Sequence, residues 1–549
     1  MQQAAPRCRG AAAPALPLRR AARGALAQRA GGAAGGSAGV GGGLRTRPHR
    51  LAQHVAPQVA TTEDVVTEAP SAVPTPGGTD AIDWFKQWYP VAIEVDLDKA
   101  RPTGLKLLGR SLVLWWDREA GSWSCLEDRC PHRLAPLSEG RVEPKTGRLM
   151  CSYHGWEFDG SGACTAIPQI GDAKAKAAAL GSKRSCVTAY PLKSINGLLW
   201  VWADPASAPE AAAAPMALIP EDDMAAEWAP TTYWFMRDIP LNMETVVENV
   251  ADPCHAPFTH HGVQGRREQE QGTIIRPLSP PSRVGFKCEQ EGTTARGTFK
   301  GTFEFTAPCL LKYHFPVFGR VMAVYIVPSA AGWSRMITRF YKSKAGGGGR
   351  RPGLFGLFLA AMQLVEGNRV LEHALMRNTV LDGDNYLLHV QERALLADAA
   401  APGGRKSPQA AWREAYFMPG ASDTGVSSWR SWLDSYGRAF PLLPSSLADL
   451  PPQMTRRQVL DRFSQHTEHC PSCRSTLARI DAALPLLAAL SAALLLLSGL
   501  SLATGAAPLA SGRVLGCAAG AAAAAFLRSQ LQSFRELFVF RDYVHAEKN

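Results

Sequence analysis

The sequence predicts an α+β protein: an all-β metal-binding region, then antiparallel strands around a long helix, then an apolar helical hairpin. Three observations predict it. Short apolar runs punctuated by Gly and Pro fill Trp84 to Asp204, with SLVLWWD and GLLWVWAD reading as strands. TFKGTFEFTAPCLLKYHFP and RVMAVYIVPSAAGWSRMITRFY alternate as further strands, and Leu371–Arg393 beyond them reads as helical. Finally, 31 residues between Asp481 and Arg513 carry no formal charge. The 549 residues suffice for three or four domains, at ~150 residues each. With 46% hydrophobic and 19% charged residues, the chain is not wholly disordered.

Residues 1–62 hold nine Arg, no Lys and no acid, out of a net charge of +11. The rest of the chain is therefore near neutral, and the case for a nucleic-acid partner falls away. An Arg-rich, acid-free leader without a continuous apolar core fits an organelle transit peptide, mitochondrial or chloroplast, rather than a secretory signal. A disordered basic arm is the bland alternative. Residues 63–80 are rich in Pro and Gly and read as a linker.

Residues 81–204 contain the first metal motif, Cys130-Pro-His132 and, after 18 intervening residues, Cys151-Ser-Tyr-His154. Each pair mixes one thiolate with one imidazole. Zinc fingers pair Cys with Cys and His with His. The alternating order suits a [2Fe–2S] centre with two thiolates on one iron and two neutral imidazoles on the other. That ligand set raises the reduction potential above that of an all-Cys cluster, so the centre can take an electron from a ferredoxin-like donor.

An Ala- and Pro-rich stretch, residues 205–229, reads as a second linker, and residues 225–440 as the second large domain. It opens with ETVVENVADPCHAPFTHHG. Asp252 and His255, three apart, would share a helix face. His255 and His260, five apart, would not on a regular helix, but Pro257 between them makes a bend plausible. Two His and a distant carboxylate would form a facial triad for non-haem Fe(II), with open positions for O₂ and substrate. Two satisfied histidines at a helix end are the alternative. The carboxylate has to come from farther on, where Asp382 and Asp384 flank an interruption at Gly383.

Residues 441–480 hold His466-Thr-Glu-His469-Cys470-Pro-Ser-Cys473. Cys470 and Cys473 could form a thioredoxin-reducible switch, half of a zinc site with His466 or His469, or an idle thiol pair. Residues 481–527 read as two spans, about Pro485–Ala503 and Leu509–Leu527, turning at Gly505 and Pro508. One span plus an interfacial helix is the alternative, because Ala contributes little to insertion. Residues 528–549 form the tail.

CPHRLAPLSEG, CSYHGWEF and Asn249-x-x-Asp252-Pro-x-His255-x₄-His260 together resemble the Rieske non-haem iron oxygenases. The leader, the C-x-x-C pair and the hairpin, with LDRFSQHTEHCPSC and FVFRDYVHAEKN, resemble that family's chloroplast branch. The likeness runs from Asp83 to the end. It implies a Rieske domain followed by a helix-grip catalytic domain. Cys130, Cys151, His132 and His154 would hold the cluster; His255, His260 and Asp384 would hold mononuclear iron, with His260 preferred to His261 and Asp382 an alternative to Asp384. Asn249 and Asp252 would belong to the catalytic set, Asp252 bridging the iron site to a cluster histidine of a neighbouring subunit in a homotrimer. The resemblance implies O₂, reduced ferredoxin and a tetrapyrrole as partners, at a chloroplast membrane with the catalytic body stromal. Its members include enzymes that open pheophorbide a, relatives that oxidise protochlorophyllide or chlorophyllide, and a redox-sensing component of the inner-envelope translocon. The intact iron motif favours turnover over sensing.

Overall fold

The computed structural model describes residues 81–219, 228–294, 297–316, 319–344, 364–399 and 408–547, which lie in one compact unit. The leader and the first linker fall outside the described residues. In the N-terminal region, Trp88–Ile93 pairs with Leu198–Trp202, which also pairs with Leu192–Ile195. Thr103–Leu107, Arg110–Asp117 and Ser122–Glu127 form a meander closed by Ala189–Tyr190. Four short strands, Arg141–Val142, Leu149–Met150, Glu157–Phe158 and Cys164–Ala166, form a small sheet. Buried Val113, Trp115, Leu137, Leu149 and Phe158 make the core beneath it. The region is not purely β. AKAKAAAL forms a helix, Ala173–Leu180, because Ala favours helix intrinsically and Asp172 caps the Ala175 N–H.

The second region is built on an antiparallel meander. Glu270–Pro277, Gly285–Thr294, Gly297–Thr306, Leu310–Phe315, Arg320–Ala330 and Trp333–Ser343 follow one another, and Trp228–Pro230 and Phe235–Ile239 both pair with the last strand. Helices α1 (Met243–Val250), α2 (Asn378–Ala399) and α3 (Thr424–Ser435) accompany this sheet. The helix-to-sheet seam is aromatic: Phe305 packs edge-on to Trp429 and Trp432 of α3 at 4.9 and 4.7 Å. One core runs through both regions, joining Trp200 and Tyr325 in an edge-to-face pair at 5.3 Å. Backbone bonds cross as well, Leu108 N–H to Pro328 O at 2.9 Å and Gly109 N–H to Ser329 O at 2.8 Å. The stretch after residue 204 is not a free linker. Ala211, Ala217 and Ile219 are buried in that core, and Trp88 donates its indole N–H to Ala211 O.

Two long helices end the chain, α4 (Pro471–Ala503) and α5 (Gly512–Val539). Both are long and apolar enough to cross a membrane, and both run past the expected spans. They pair antiparallel through small residues: Ser491 Oγ donates to Ala521 O at 3.0 Å, and Gly520 lies against Leu494. Leu486, Leu490, Leu496, Leu497 and Phe526 face outward, an apolar surface that a lipid phase would cover. Gly505 makes the expected turn, at φ +68°.

Candidate metal centres

The two Cys–His loops are copies of one backbone device. The Cys130 N–H bonds Ala135 O and the Leu134 N–H bonds Cys130 O; likewise the Cys151 N–H bonds Trp156 O and the Gly155 N–H bonds Cys151 O. Leu134 and Gly155, at equivalent places, both adopt positive φ, +63° and +70°. Leu134 bears strain there that Gly155 avoids. Each loop thereby aims its thiol inward and its imidazole outward. Cys130 and Cys151 are buried, whereas His132 and His154 are half-buried with ring centroids 4.4 Å apart. Trp156 stacks on His132 at 4.7 Å. Burial, and Cys151 beside it, push the Cys130 thiol up to about 11, so a cation is needed to hold it as a thiolate. Burial and the charges of His154 and Arg133 lower His132, which suits a neutral ligand. His132 Nδ1 is buried without a partner, as expected of an atom or ring oriented by a group bound alongside.

The second centre forms where α1 ends. The chain leaves the helix at Ala251, and Asp252 sits outside it as a cap, its carboxylate accepting from the Cys254 N–H at 2.8 Å. Asp252 and His255 therefore do not share a helix face. Even so, Asp252 Oδ2 lies 3.7 Å from His255 Nδ1. A 3₁₀ turn, Pro253–His255, and one α turn, Ala256–Thr259, separate the histidines, and His260 closes that turn. Here the expected Pro257 bend becomes a change of helix type. Both imidazoles converge on α2: His255 Nε2 is 3.7 Å and His260 Nε2 3.2 Å from the Asp384 carboxylate. Asn249 Nδ2 is 3.5 Å from His255 Nε2. His261 turns away, accepting the Arg267 N–H at 3.2 Å.

Asp384 and Asp382 have different surroundings. Asp382 is fully buried between Arg237 Nη1 and Arg462 Nε, each at 2.7 Å, and so is committed to an ion triad. Among the described residues Asp384 has no such cation, and it faces the two histidines. Gly383 does not interrupt α2. A Cβ there would stand 2.9 Å from His260 Nδ1, so the glycine lets the imidazole pack on the helix. The break in regular α structure comes earlier, as a π-helical segment at Glu372–Arg377. Sequence reading missed the tail's part: Tyr543 donates to Thr259 O at 2.7 Å, and Arg456 grips Asp542 at 2.6 Å.

The donor set of this cage fits a divalent iron. His255, His260 and Asp384 each offer one ligand atom, all within 4.8 Å of one another. His255 is pulled down by burial, yet the Asp252 and Asp384 carboxylates outweigh that and leave it raised, the mark of a cage that favours a positive charge. A cavity of about 590 Å³ bounded by Ile93, Asn196, Trp228, Tyr233, Trp234 and Arg339 contains none of these ligands. Cys470 and Cys473 meet a third cluster, with His466 and His373, all four buried. His469 is exposed and stays outside it. His373 is the member that sequence reading missed, because it lies 93 residues upstream of His466.

Residues 87–190 match the Rieske [2Fe-2S] domain family and residues 305–400 the pheophorbide a oxygenase family. Over 493 residues the chain is 33% identical to a chloroplastic pheophorbide a oxygenase of Oryza sativa subsp. japonica, covering 84% of this chain and 85% of that protein. It is 32% identical over 459 residues to protochlorophyllide-dependent translocon component 52, chloroplastic, of Arabidopsis thaliana, covering 74% and 75%. Among solved structures it aligns with dicamba monooxygenase bound to 3,6-dichlorosalicylic acid at a TM-score of 0.45 and 19% identity, over 66% of this chain and 99% of that one. A cluster domain, a mononuclear iron cage and relatives that span most of the chain have one common reading: the chain belongs to the Rieske non-haem iron oxygenases, in the pheophorbide a oxygenase family.

Proposed function

We propose that this protein uses O₂ and electrons from reduced ferredoxin to open the pheophorbide a macrocycle at a meso bridge, giving the red chlorophyll catabolite. The observation that carries this reading is the His255–His260–Asp384 cage within a chain whose relative of 33% identity is named pheophorbide a oxygenase. Cys130, Cys151, His132 and His154 would hold the cluster; His255, His260 and Asp384 would hold the iron. When bound, the cluster supplies single electrons and the iron supplies O₂ activation. The protein's own residues do the rest. The carboxylate of Asp252 beside Nδ1 orients His255, in the manner of partners that fix metal-bound imidazoles. Asn249 sets the other edge of the same ring. Arg237 and Arg462 clamp Asp382, and with it the helical turn that presents Asp384. Tyr543 ties the tail to the His260 turn and closes that side of the cage.

By resemblance to the family, Asp252 at the cage would serve as the electron bridge to a cluster histidine of a neighbouring subunit in a homotrimer. The apolar hairpin would hold the body at a chloroplast membrane, inner envelope or thylakoid, on the stromal side, where a flat apolar pigment partitions. A second reading follows the relative named as protochlorophyllide-dependent: oxidation of protochlorophyllide or chlorophyllide, or a redox-sensing role in a translocon. To test the first reading, leaderless protein with both iron centres is given reduced ferredoxin, ¹⁸O₂ and pheophorbide a, and the pigment is analysed by mass spectrometry. A ring-opened product carrying ¹⁸O is expected. Unchanged pigment, from protein whose reduced cluster is confirmed by electron paramagnetic resonance, would contradict it, and label entering chlorophyllide or protochlorophyllide in a parallel assay would favour the second reading.

A further inference from the structure

We propose that Cys470, Cys473, His466 and His373 form a structural zinc site that fastens the helix bearing Asp384 to the base of the apolar hairpin. The inference does not depend on which pigment the enzyme oxidises. Four soft or borderline donors, two sulfur and two nitrogen, meet in one place, with every ligand atom within 4.8 Å of the others. Cys473 Sγ is 3.4 Å from His466 Nε2 and 3.8 Å from His373 Nδ1, and Cys470 Sγ is 3.7 Å from His373 Nδ1. Zinc held tetrahedrally at ~2.3 Å from sulfur and ~2.0–2.1 Å from nitrogen implies sulfur–nitrogen edges of ~3.6 Å. The three observed edges bracket that value.

The backbone is arranged for these ligands. Cys470 caps the N-terminus of α4 and Cys473 lies three residues on, so both thiols leave the same face of the first turn. Both histidines sit on π-helical segments, Glu372–Arg377 and Phe463–Thr467. Such segments are rare and concentrate at functional positions, because the extra residue re-aims a side chain. His466 Nδ1 is 2.6 Å from the Met236 carbonyl, so Nδ1 carries the proton and Nε2 presents its lone pair to the sulfurs. Phe235 packs against both imidazoles, at 5.0 and 4.6 Å. Two thiolates, two neutral imidazoles and Zn²⁺ sum to zero charge, which an apolar cluster of Ala374, Leu477, Ile480, Leu537 and Phe538 can enclose.

The competing use of the pair, a disulfide reduced by thioredoxin, requires an attacking thiolate to reach one sulfur. Cys470 and Cys473 are only 2% and 1% exposed. A clamp explains the burial and the two histidines; a switch explains neither. The clamp also joins segments far apart in the chain. His373 lies in the second turn of the helical run that reaches Asp384 eleven residues later, and Cys473 lies in the first turn of the helix that runs into the hairpin.

The test is metal analysis of the full-length protein purified in detergent without added zinc, by mass spectrometry for content and zinc-edge X-ray absorption for ligands. About one zinc per chain, with two sulfur and two nitrogen neighbours, is expected. Cys473→Ser and His373→Ala should lower zinc at least tenfold while the cluster's electron paramagnetic resonance signal persists, and His469→Ala should retain full zinc. Should the substituted proteins fail to fold, the wild-type zinc content and coordination still decide. Less than a tenth of a zinc per chain, or a Cys470–Cys473 disulfide found by peptide mass in the untreated protein, would overturn the proposal.

Discussion

Two aspartates two residues apart receive opposite tasks, and their neighbours decide which. Asp382 is held by two guanidinium groups and Asp384 faces two imidazoles. Their substitutions should therefore fail differently. Asp384→Ala should release the mononuclear iron and cut oxygenation by more than ~100-fold while leaving the cluster signal and melting temperature nearly unchanged. Asp382→Asn leaves two buried arginines short of a counter-charge, at a cost of about 3–5 kcal/mol. It should appear first as a lower melting temperature, with iron lost only as the protein unfolds. Metal content measured beside thermal melts separates the two. The cluster motif was legible because its four candidate ligands lie in two short loops, and the pair His255 and His260 because they lie in one. The choice between Asp382 and Asp384 rested on resemblance alone. Neither Arg237 nor Arg462 announces its partner in sequence, since 145 and 80 residues separate them from Asp382.

The helices around the cage bury acids as well as apolar side chains. Glu244 on α1 is buried facing Glu392 of α2, with Arg430 of α3 and Glu248 near it. Burial first, and Glu392 second, raise its carboxyl to about 8, against which Arg430 acts only in part. A raised carboxyl means that the folded protein binds more protons than the unfolded chain over this range. The stabilisation is then complete below the ordinary carboxylate value and is lost as pH rises through about 8. Glu244→Gln removes the titration while keeping the shape. Its melting temperature should exceed that of the wild type by a few degrees at pH 9 and converge with it near pH 5. A constant difference across that range would contradict the assignment. At this scale the strands were legible from alternation, and the hairpin from its uncharged run. The two π-helical segments were not, because a shift to i→i+5 bonding leaves no periodic trace. The burial of Ala211, Ala217 and Ile219 within the stretch after residue 204 was missed for a related reason. Ala and Pro read as linker, although small side chains also pack closely.

Across the whole molecule, the cage is assembled from distant parts of the chain: the turn after α1, the second turn of α2, and a tail that returns from beyond the hairpin. Tyr543 reaches the His260 turn across 284 residues. The apolar hairpin and the candidate iron cage are thus joined through one set of contacts, with the four-residue Cys–His cluster at the junction. On the proposed function, electrons should leave the cluster only for productive turnover. The most direct measurement is a single turnover: protein with both centres reduced is mixed with O₂, with and without pheophorbide a, and cluster oxidation is followed by freeze-quench electron paramagnetic resonance beside product analysis. Cluster oxidation and ring-opened pigment should rise together, only when pigment is present, and Asp384→Ala should abolish both. Cluster oxidation at one rate with or without pigment, and no oxygen in the pigment, would contradict the account and leave an electron carrier in place of an oxygenase.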